Sequence, residues 1–137
     1  MPPLASFRHD IRVRYADTDQ MQIVYNGKYF EYFEVGRTEL IRSLGLPYAE
    51  MERRGTRLPL IEAQCRFHLP ARYDDLITIE SSVLEIPRST LRIDYSIFRK
   101  ESGELLARGY TVHAFLDIAS QRPVRPPADF LAAMGIL

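Results

Sequence analysis

The sequence predicts an α+β fold in which a five-stranded antiparallel sheet wraps around one long helix. Three observations support this prediction. The chain has 137 residues, which is the size of one domain with one substantial core. Apolar residues recur at helical spacing in residues 28–44, and from residue 58 onward they alternate with polar residues, which is the period of a strand. Short stretches of turn residues separate the alternating segments, so we expect a single domain, residues 1–137, with strands joined as antiparallel hairpins.

The first half of the chain contains the long helix. Residues 7–15 alternate loosely and predict a first strand, and an irregular polar stretch, residues 16–27, follows it. Residues 28–44 are predicted to be helical because their aromatic and aliphatic side chains recur every three to four positions. Gly45 and Pro47 then end the helix.

The second half of the chain consists mainly of strands. Four segments carry β-branched or aromatic residues in alternation with polar ones, namely residues 58–69, 76–86, 90–100 and 105–117. Consecutive segments are expected to pair as neighbours in a twisted meander. Short helices are predicted on either side of these strands, at residues 48–54 and 126–137.

The helix at residues 28–44 is apolar nearly all round, so we expect most of its surface to be buried. Five antiparallel strands curved about it are the simplest cover that this chain offers. That arrangement is the hotdog fold. Because a single open sheet leaves an edge strand with unpaired N–H and C=O groups, pairing with a second copy is favoured. We expect a dimer at least, and a homotetramer built as a dimer of dimers.

Composition and charge exclude several classes of function. Lys plus Arg equals Asp plus Glu at 18 each, which argues against non-specific binding to nucleic acid or to an anionic membrane. No apolar run is long enough to span a membrane, and the charged start of the chain is unlike a signal peptide. The one cysteine, Cys65, fits a reducing compartment, so we expect the cytoplasm. The sequence has no Gly-rich phosphate loop and no CxxC, HExxH or GxSxG motif, so no metal or redox cofactor is expected.

The most informative segment is residues 14–29, RYADTDQMQIVYNGKY, between the first strand and the helix. It places Asp17 and Asp19 where a loop meets a helix N-terminus. The helix dipole and the free N–H groups there stabilise a carboxylate, and the same N–H groups can hold a carbonyl oxygen as it gains negative charge. The alternative is that Asp17, Thr18 and Asp19 make only turn and capping interactions. The residue types alone do not decide between the two.

Together with residues 32–39, YFEVGRTE, this segment resembles the 4-hydroxybenzoyl-CoA thioesterase-like branch of the hotdog acyl-CoA thioesterases. The D-T-D, V-Y-x-G-x-Y and F-E-x-x-R-T-E pieces are each weak signals, but their combination in this order is specific. The likeness extends over residues 10–130. It continues through Leu58-Pro59, the PARYDD stretch of residues 70–75, the Arg88 hairpin, Gly109-Tyr110-Thr111 and Arg122-Pro123.

The resemblance implies a role for each residue of the loop. Asp19 corresponds to the catalytic carboxylate, which acts on the thioester carbonyl as nucleophile or as base for water. The main-chain N–H of Asn26 corresponds to the oxyanion donor, Gly27 allows close approach of the backbone, and Tyr25 lines the site. Asp17 shapes the loop and is the second candidate for the carboxylate.

The resemblance also implies an acyl-CoA substrate and no metal or redox cofactor. Because CoA carries several negative charges, local cations are needed, and Arg88 in its hairpin turn is the candidate for the CoA phosphates. Tyr29 and Phe30 are expected to border an acyl pocket for an aromatic or short- to medium-chain group. This sequence departs from common relatives at residues 20–22, where small residues are frequent, and at Asn26, where histidine is frequent.

Two other functions fit the same residues. One is hydrolysis of thioesters on acyl carrier protein, which would replace nucleotide contacts by a basic docking surface. The other is a hotdog acyl-binding module without catalysis, in which Asp19 is only a turn residue.

Overall fold

The computed structural model describes residues 2–136, and within them eight strands and three α-helices follow one another along the chain. They are β1 (Ala5–Arg12), α1 (Lys28–Ser43), α2 (Tyr48–Arg53), β2 (Thr56–Arg57), β3 (Leu60–Phe67), β4 (Leu76–Val83), β5 (Thr90–Arg99), β6 (Leu105–Ala114), β7 (Leu116–Asp117), β8 (Arg122–Pro123) and α3 (Ala128–Ala133). A 3₁₀ turn, Tyr15–Asp17, lies between β1 and α1.

The large sheet has five antiparallel strands in the order β1-β4-β5-β6-β3, and α1 packs on one of its faces. The predicted fold, a hotdog with one long helix, is therefore confirmed. A second sheet, β2-β7-β8, was not predicted. Its strands have two residues each, which is too short to show an alternation in sequence.

The prediction of a simple meander was wrong at β3. This strand pairs with β6, with Cys65 opposite Gly109, and β4 pairs with β1 instead. The reason lies in the segment between β3 and β4. Its Ala71 carbonyl accepts a hydrogen bond from Val24 N–H at 2.8 Å, so this connection packs against the loop before α1. The chain thereby leaves the edge of the sheet at β3 and reaches the position between β1 and β5 before β4 begins.

α1 lies close to the sheet because Gly36 faces β4. A Cβ atom at Gly36 would be 2.5 Å from Ser81 Oγ and 2.6 Å from Ile79 Cγ2. Three positions earlier, the Phe33 ring stacks on Tyr95 with 4.3 Å between the centroids. The buried residues of α1 all lie on this side: Tyr29, Tyr32, Phe33, Gly36, Leu40 and Ile41.

The expectation that most of the α1 surface is buried was wrong for the single chain. Phe30, Glu31, Glu34 and Val35 are exposed, because the sheet covers only one side of the helix. The apolar members of this exposed face are what made the helix look apolar nearly all round in sequence.

β3 is an edge strand whose side chains are largely exposed on both faces. Three of its exposed residues are large and apolar, namely Leu60, Ile61 and Phe67. The outer backbone edge of β3 has no partner strand within residues 2–136. None of the described helices has the length and hydropathy needed to cross a bilayer.

Candidate active site

The loop that carries Asp19 is a tight turn closed by backbone hydrogen bonds. Thr18 and Val24 form an antiparallel bridge. Inside it, Asp19 N–H donates to the Ile23 carbonyl at 3.0 Å, and Gln22 N–H donates to the Asp19 carbonyl at 2.9 Å. Gln22 has φ 66, the left-handed conformation that closes such a turn and that few residue types adopt at low cost. The backbone of Asp19 is therefore fixed.

The two oxygens of the Asp19 carboxylate differ, because one is hydrogen-bonded within the turn and the other is not. Its Oδ1 accepts the Met21 N–H at 2.8 Å, which is the turn interaction considered as the alternative role. Oδ2 has no hydrogen-bond partner within residues 2–136. The side chain lines an open groove of about 490 Å³. The other lining residues are Tyr15, Thr18, Gln20, Gln22, Arg72 and Tyr73.

Two free amides lie at the start of α1. The N–H groups of Asn26 and Gly27 donate to no acceptor in the described part of the chain, whereas Lys28 N–H donates to the Tyr25 carbonyl at 2.9 Å. The Tyr25 ring lies directly against Gly27, since a Cβ there would be 2.9 Å from Tyr25 Cε2. Free amides at a helix N-terminus favour negative charge, so these two can hold an oxyanion.

Asp17 holds the loop to the helix. It is 3% exposed, and its carboxylate accepts hydrogen bonds from Arg14 N–H at 3.1 Å and from Tyr32 OH at 3.0 Å. Its carbonyl accepts Tyr25 N–H at 2.9 Å. Burial alone raises the pKa of Asp17, but the bonds from Arg14 and Tyr32 outweigh it, so the pKa lies below its usual range. The geometry matches the predicted loop-shaping role and leaves little access for chemistry.

Tyr29 lies in the core. Its hydroxyl accepts the Ala71 N–H at 3.3 Å, and its ring packs edge-on against Phe67 with 5.0 Å between centroids. The structure thus gives Tyr29 a packing role at the base of the loop, while Phe30 beside it is exposed.

Arg88 and Asp19 lie at opposite ends of the sheet. Arg88 follows β4, in the turn to β5, and is exposed. The loop with Asp19 adjoins the other end of β4, where Val13 N–H donates to the Asp75 carbonyl. An eight-residue strand separates the two ends by about 26 Å. A single chain does not bring Arg88 and Asp19 together.

A second cavity, of about 280 Å³, lies between α1 and the sheet and was not predicted. Its lining residues are Glu34, Arg37, Thr38, Ile41, Tyr48, Leu58, Ile93 and His113. Arg37 forms a long ion pair on the same helix, with its Nη2 4.0 Å from Glu34 Oε2. Arg37 follows the buried Phe33 by one helical turn, and this spacing could have placed it on the side of α1 that faces the sheet.

A chain of buried hydrogen bonds runs beside this second cavity. The Tyr95 hydroxyl lies 2.6 Å from Thr111 Oγ1, Thr111 Oγ1 lies 2.9 Å from His113 Nε2, and His113 Nδ1 lies 3.1 Å from the Leu58 carbonyl. A carbonyl only accepts, so Nδ1 carries the proton and Nε2 accepts from Thr111. Burial, with the nearby Arg37 charge, lowers the pKa of His113 to about 4. The imidazole is therefore neutral at neutral pH.

Cys65 is half-buried. Burial raises the pKa of its thiol to about 11, so it is protonated at neutral pH and a poor nucleophile. Among residues 2–136, no three His, Cys, Asp or Glu side chains lie close enough together to hold a metal ion.

Comparisons of the sequence and of the structure with known proteins point to the same family. Residues 13–134 match the family model of the thioesterase-like superfamily. The chain is 27% identical over 128 residues to the acyl-CoA thioesterase YbgC of Haemophilus influenzae, covering 93% of each protein. Its structure superposes on the DHNA-CoA thioesterase from Staphylococcus aureus with a TM-score of 0.88 at 29% identity, covering 95% of this chain and 89% of the other.

A 4-hydroxybenzoyl-CoA thioesterase mutant, solved with 4-hydroxybenzoyl-CoA bound, shares the fold. The TM-score is 0.85 at 23% identity, covering 95% of this chain and 99% of the other. The resemblance drawn from the loop and helix motifs is thus confirmed. The chain belongs to the thioesterase-like superfamily and is a thioester hydrolase.

Proposed function

We propose that the chain hydrolyses acyl-CoA thioesters with Asp19 as the catalytic carboxylate and the Asn26 N–H as the oxyanion donor. The observation that supports this proposal is a carboxylate oxygen without a partner within residues 2–136, in an open groove, on the same segment whose later amides are free at the start of α1. The similar proteins include the acyl-CoA thioesterase YbgC and thioesterases named for DHNA-CoA and 4-hydroxybenzoyl-CoA. These names support an acyl-CoA substrate. The acyl group is aromatic or a short to medium chain.

The chemistry needs only these groups. As the thioester carbonyl carbon is attacked, its oxygen gains negative charge and accepts hydrogen bonds from Asn26 N–H and Gly27 N–H. Removing one such donor costs about 2.7–4 kcal/mol of barrier. Asp19 either takes a proton from the attacking water or attacks the carbonyl itself, giving an anhydride that water then opens. Either route breaks the C–S bond and yields the free acid and the CoA thiol.

A second copy of the chain is proposed to complete the site. Antiparallel pairing of two β3 edges about a two-fold axis places the start of one strand beside the end of the other. The end of β3, Phe67, packs against Tyr29 at the base of the Asp19 loop. The start of β3 follows Leu58, which lines the cavity of about 280 Å³. Each Asp19 would then face the partner's cavity, and the acyl group would enter it.

The same pairing gives Arg88 a role in the dimer. The end of the sheet that carries Arg88 would lie beside the end of the partner's sheet that carries the Asp19 loop. The nucleotide of a CoA ester bound at that loop would then reach Arg88. Further association of two dimers into a tetramer stays a prediction. A single cysteine, Cys65, fits a reducing compartment, so the proposed location is the cytoplasm.

The test is turnover of a panel of acyl-CoA esters by the wild type and by Asp19→Asn. The variant keeps the size of the side chain and removes its charge, so we expect kcat to fall by about 10²–10⁴-fold. Asp94→Asn is the matched control, because Asp94 lies on the face of the sheet opposite α1 and pairs only with Arg92. Asp94→Asn should keep the wild-type rate.

Three outcomes would count against the proposal. Equal rates for the wild type and Asp19→Asn would remove Asp19 from the mechanism. Absence of any turnover by the wild type would favour an acyl-binding module. Faster turnover of the same acyl group on acyl carrier protein would show that the substrate is an acyl carrier protein thioester instead of a CoA thioester.

A further inference from the structure

The cavity under α1 contains a charge that the proposed mechanism does not use. Arg37 lines this cavity, and its side chain is 19% exposed. A guanidinium has five N–H donors and stays charged at any physiological pH. Burying such a charge without an anion costs free energy, so the question is what balances it.

The protein itself balances Arg37 poorly. Its ion-pair partner, Glu34, is 70% exposed and reaches it through one contact at 4.0 Å, the limit of a salt bridge. In water this contact is weak and is screened by salt. Glu39, a nearby acid on the same helix, is bonded to Arg42 at 3.2 Å instead. The other polar groups of the lining are the hydroxyls of Thr38 and Tyr48 and the His113 imidazole, which is neutral at neutral pH.

The neighbouring hydrogen bonds use only part of the guanidinium. Arg37 lies within hydrogen-bonding reach of the Tyr95 hydroxyl, which leaves the other N–H groups of its fork for a ligand. In the chain described above, Tyr95 donates to Thr111, Thr111 donates to His113, and His113 donates to the Leu58 carbonyl. Every donor in this chain is used by a protein acceptor, and its imidazole is neutral. The cavity therefore has both polar and apolar walls, with Arg37 as its positive charge beside Ile41, Leu58 and Ile93, while the carboxylate of Glu34, also in the lining, is largely exposed to solvent.

The size of the cavity limits the ligand. At about 280 Å³ it lies just below the roughly 300–1,000 Å³ of sites that hold whole drug-sized molecules. This volume suits an acyl group and is small for the nucleotide of CoA. An anion that pairs with Arg37 in this cavity would therefore belong to the acyl group.

We propose that this cavity selects acyl groups that end in a carboxylate, which forms a charge-assisted hydrogen bond with Arg37. The substrate class is thus the mono-CoA ester of a dicarboxylic acid, aliphatic or aromatic. This inference rests on the proposed function, because it takes the cavity of one subunit as the acyl site for Asp19 of the other.

The test compares esters of matched length with and without the terminal carboxylate. The pairs are adipoyl-CoA with hexanoyl-CoA, and 4-carboxybenzoyl-CoA with benzoyl-CoA. A hydrogen bond to a buried charge is worth about tenfold to a hundredfold in affinity. We expect kcat/KM of the wild type to favour the carboxylated member of each pair by about tenfold or more.

Arg37→Met should bring this ratio close to one, because Met fills similar space without the charge. Arg37→Lys should keep part of the preference, since it keeps the charge and loses the planar fork. The matched control is Arg42→Met, on the same helix but exposed and bonded to Glu39, and it should keep the wild-type ratio.

A measurement without turnover keeps the test independent of the stability of the Arg37 variants. Asp19→Asn protein titrated with adipoyl-CoA and with hexanoyl-CoA should bind the first about tenfold more tightly or better. Equal binding of the two esters would overturn the proposal.

Failure of this inference differs from failure of the proposed function. If the wild type hydrolyses hexanoyl-CoA at least as well as adipoyl-CoA, the carboxylate assignment is wrong and thioester hydrolysis stands. A preference for 4-hydroxybenzoyl-CoA over both benzoyl-CoA and 4-carboxybenzoyl-CoA would also overturn it, in favour of a hydroxyl group. If the wild type hydrolyses no CoA ester but still binds adipoyl-CoA preferentially, the proposed function fails while the assignment of the cavity holds.

Discussion

His113 shows how one buried side chain makes stability depend on pH. It is 2% exposed, and burial with the nearby Arg37 charge lowers its pKa to about 4, against 6.5 in the unfolded chain. Between these values the unfolded chain binds a proton that the folded chain does not. The stability linked to this residue is therefore full above about pH 6.5 and is lost as pH falls to about 4.

We predict that the wild type loses about 3 kcal/mol of unfolding free energy over this range through His113. Urea titrations of the wild type and His113→Gln at several pH values measure it, because the difference between the two curves isolates the residue. The exposed His68, changed to Gln, is the control and should follow the wild type. Parallel curves for the wild type and His113→Gln would contradict the prediction, as would an NMR signal assigned to the His113 imidazole that titrates near pH 6.5.

At the scale of residues, the sequence could single out the loop but not the second cavity. Asp19, Asn26 and Gly27 are close in sequence, so a local motif was enough to select them as candidates, and their joint role stays a prediction. The lining of the second cavity comes from α1, α2, the segment before β3, β5 and β6, and residues such as Arg37 and His113 meet only through tertiary packing. Residues this far apart in the chain form no common motif, so their contact could not be predicted from one sequence.

At the scale of elements, the contact of α1 with β4 depends on a small residue and tolerates an unsatisfied group. Ser81 Oγ is buried and has no hydrogen-bond partner in residues 2–136. It lies where a Cβ on Gly36 would be 2.5 Å away. A buried polar group without a partner costs about 1–3 kcal/mol, so this hydroxyl is a liability in the helix–sheet interface.

We predict that Ser81→Ala raises the unfolding free energy by about 1 kcal/mol, because it removes that cost and almost no apolar contact. Chemical denaturation measures it. The matched control is Ser82→Ala on the same strand, where the hydroxyl faces the other way and bonds Ser6 Oγ at 3.1 Å. Gly36→Ala should destabilise by about 1–3 kcal/mol through overpacking, and by less in the Ser81→Ala background. A destabilised Ser81→Ala would show that the hydroxyl has a role in the fold.

The types and lengths of the elements could be predicted from the sequence, whereas the strand that each strand pairs with could not always be predicted. The bounds of α1 came within one residue because Lys28, Gly45 and Pro47 mark its ends in sequence. The pairing of β3 was wrong because hairpin reasoning uses only the length of a connection. The segment between β3 and β4 is short, but its Ala71 binds the loop before α1 and directs the chain elsewhere.

At the scale of the whole molecule, the single chain has three features that a partner could complete. The outer edge of β3 has no partner strand, the exposed face of α1 carries Phe30 and Val35, and the groove at Asp19 is open. One two-fold pairing through β3 would cover the strand edge and bring the partner's cavity to the groove. Oligomeric state and activity are therefore expected to change together.

We predict that Ile61→Asp converts the proposed dimer to a monomer and lowers turnover. Ile61 is 58% exposed in the single chain and is the bulged residue between Leu60 and Glu62, so it takes no part in the β3–β6 register. A charge there should leave the sheet intact but would be desolvated in a β3–β3 interface, which is costly. Light scattering after size-exclusion chromatography gives the mass, and the melting temperature of the wild type, unlike that of the variant, should rise with protein concentration.

Leu4→Asp is the matched control for this change. Leu4 is 39% exposed and directly precedes β1, at the edge of the sheet opposite β3, so its substitution should leave both mass and turnover unchanged. An Ile61→Asp protein that stays dimeric would move the interface to another surface. A monomer that keeps the full wild-type rate would show that each chain completes its own site, because the acyl group would then have to bind without the partner's cavity.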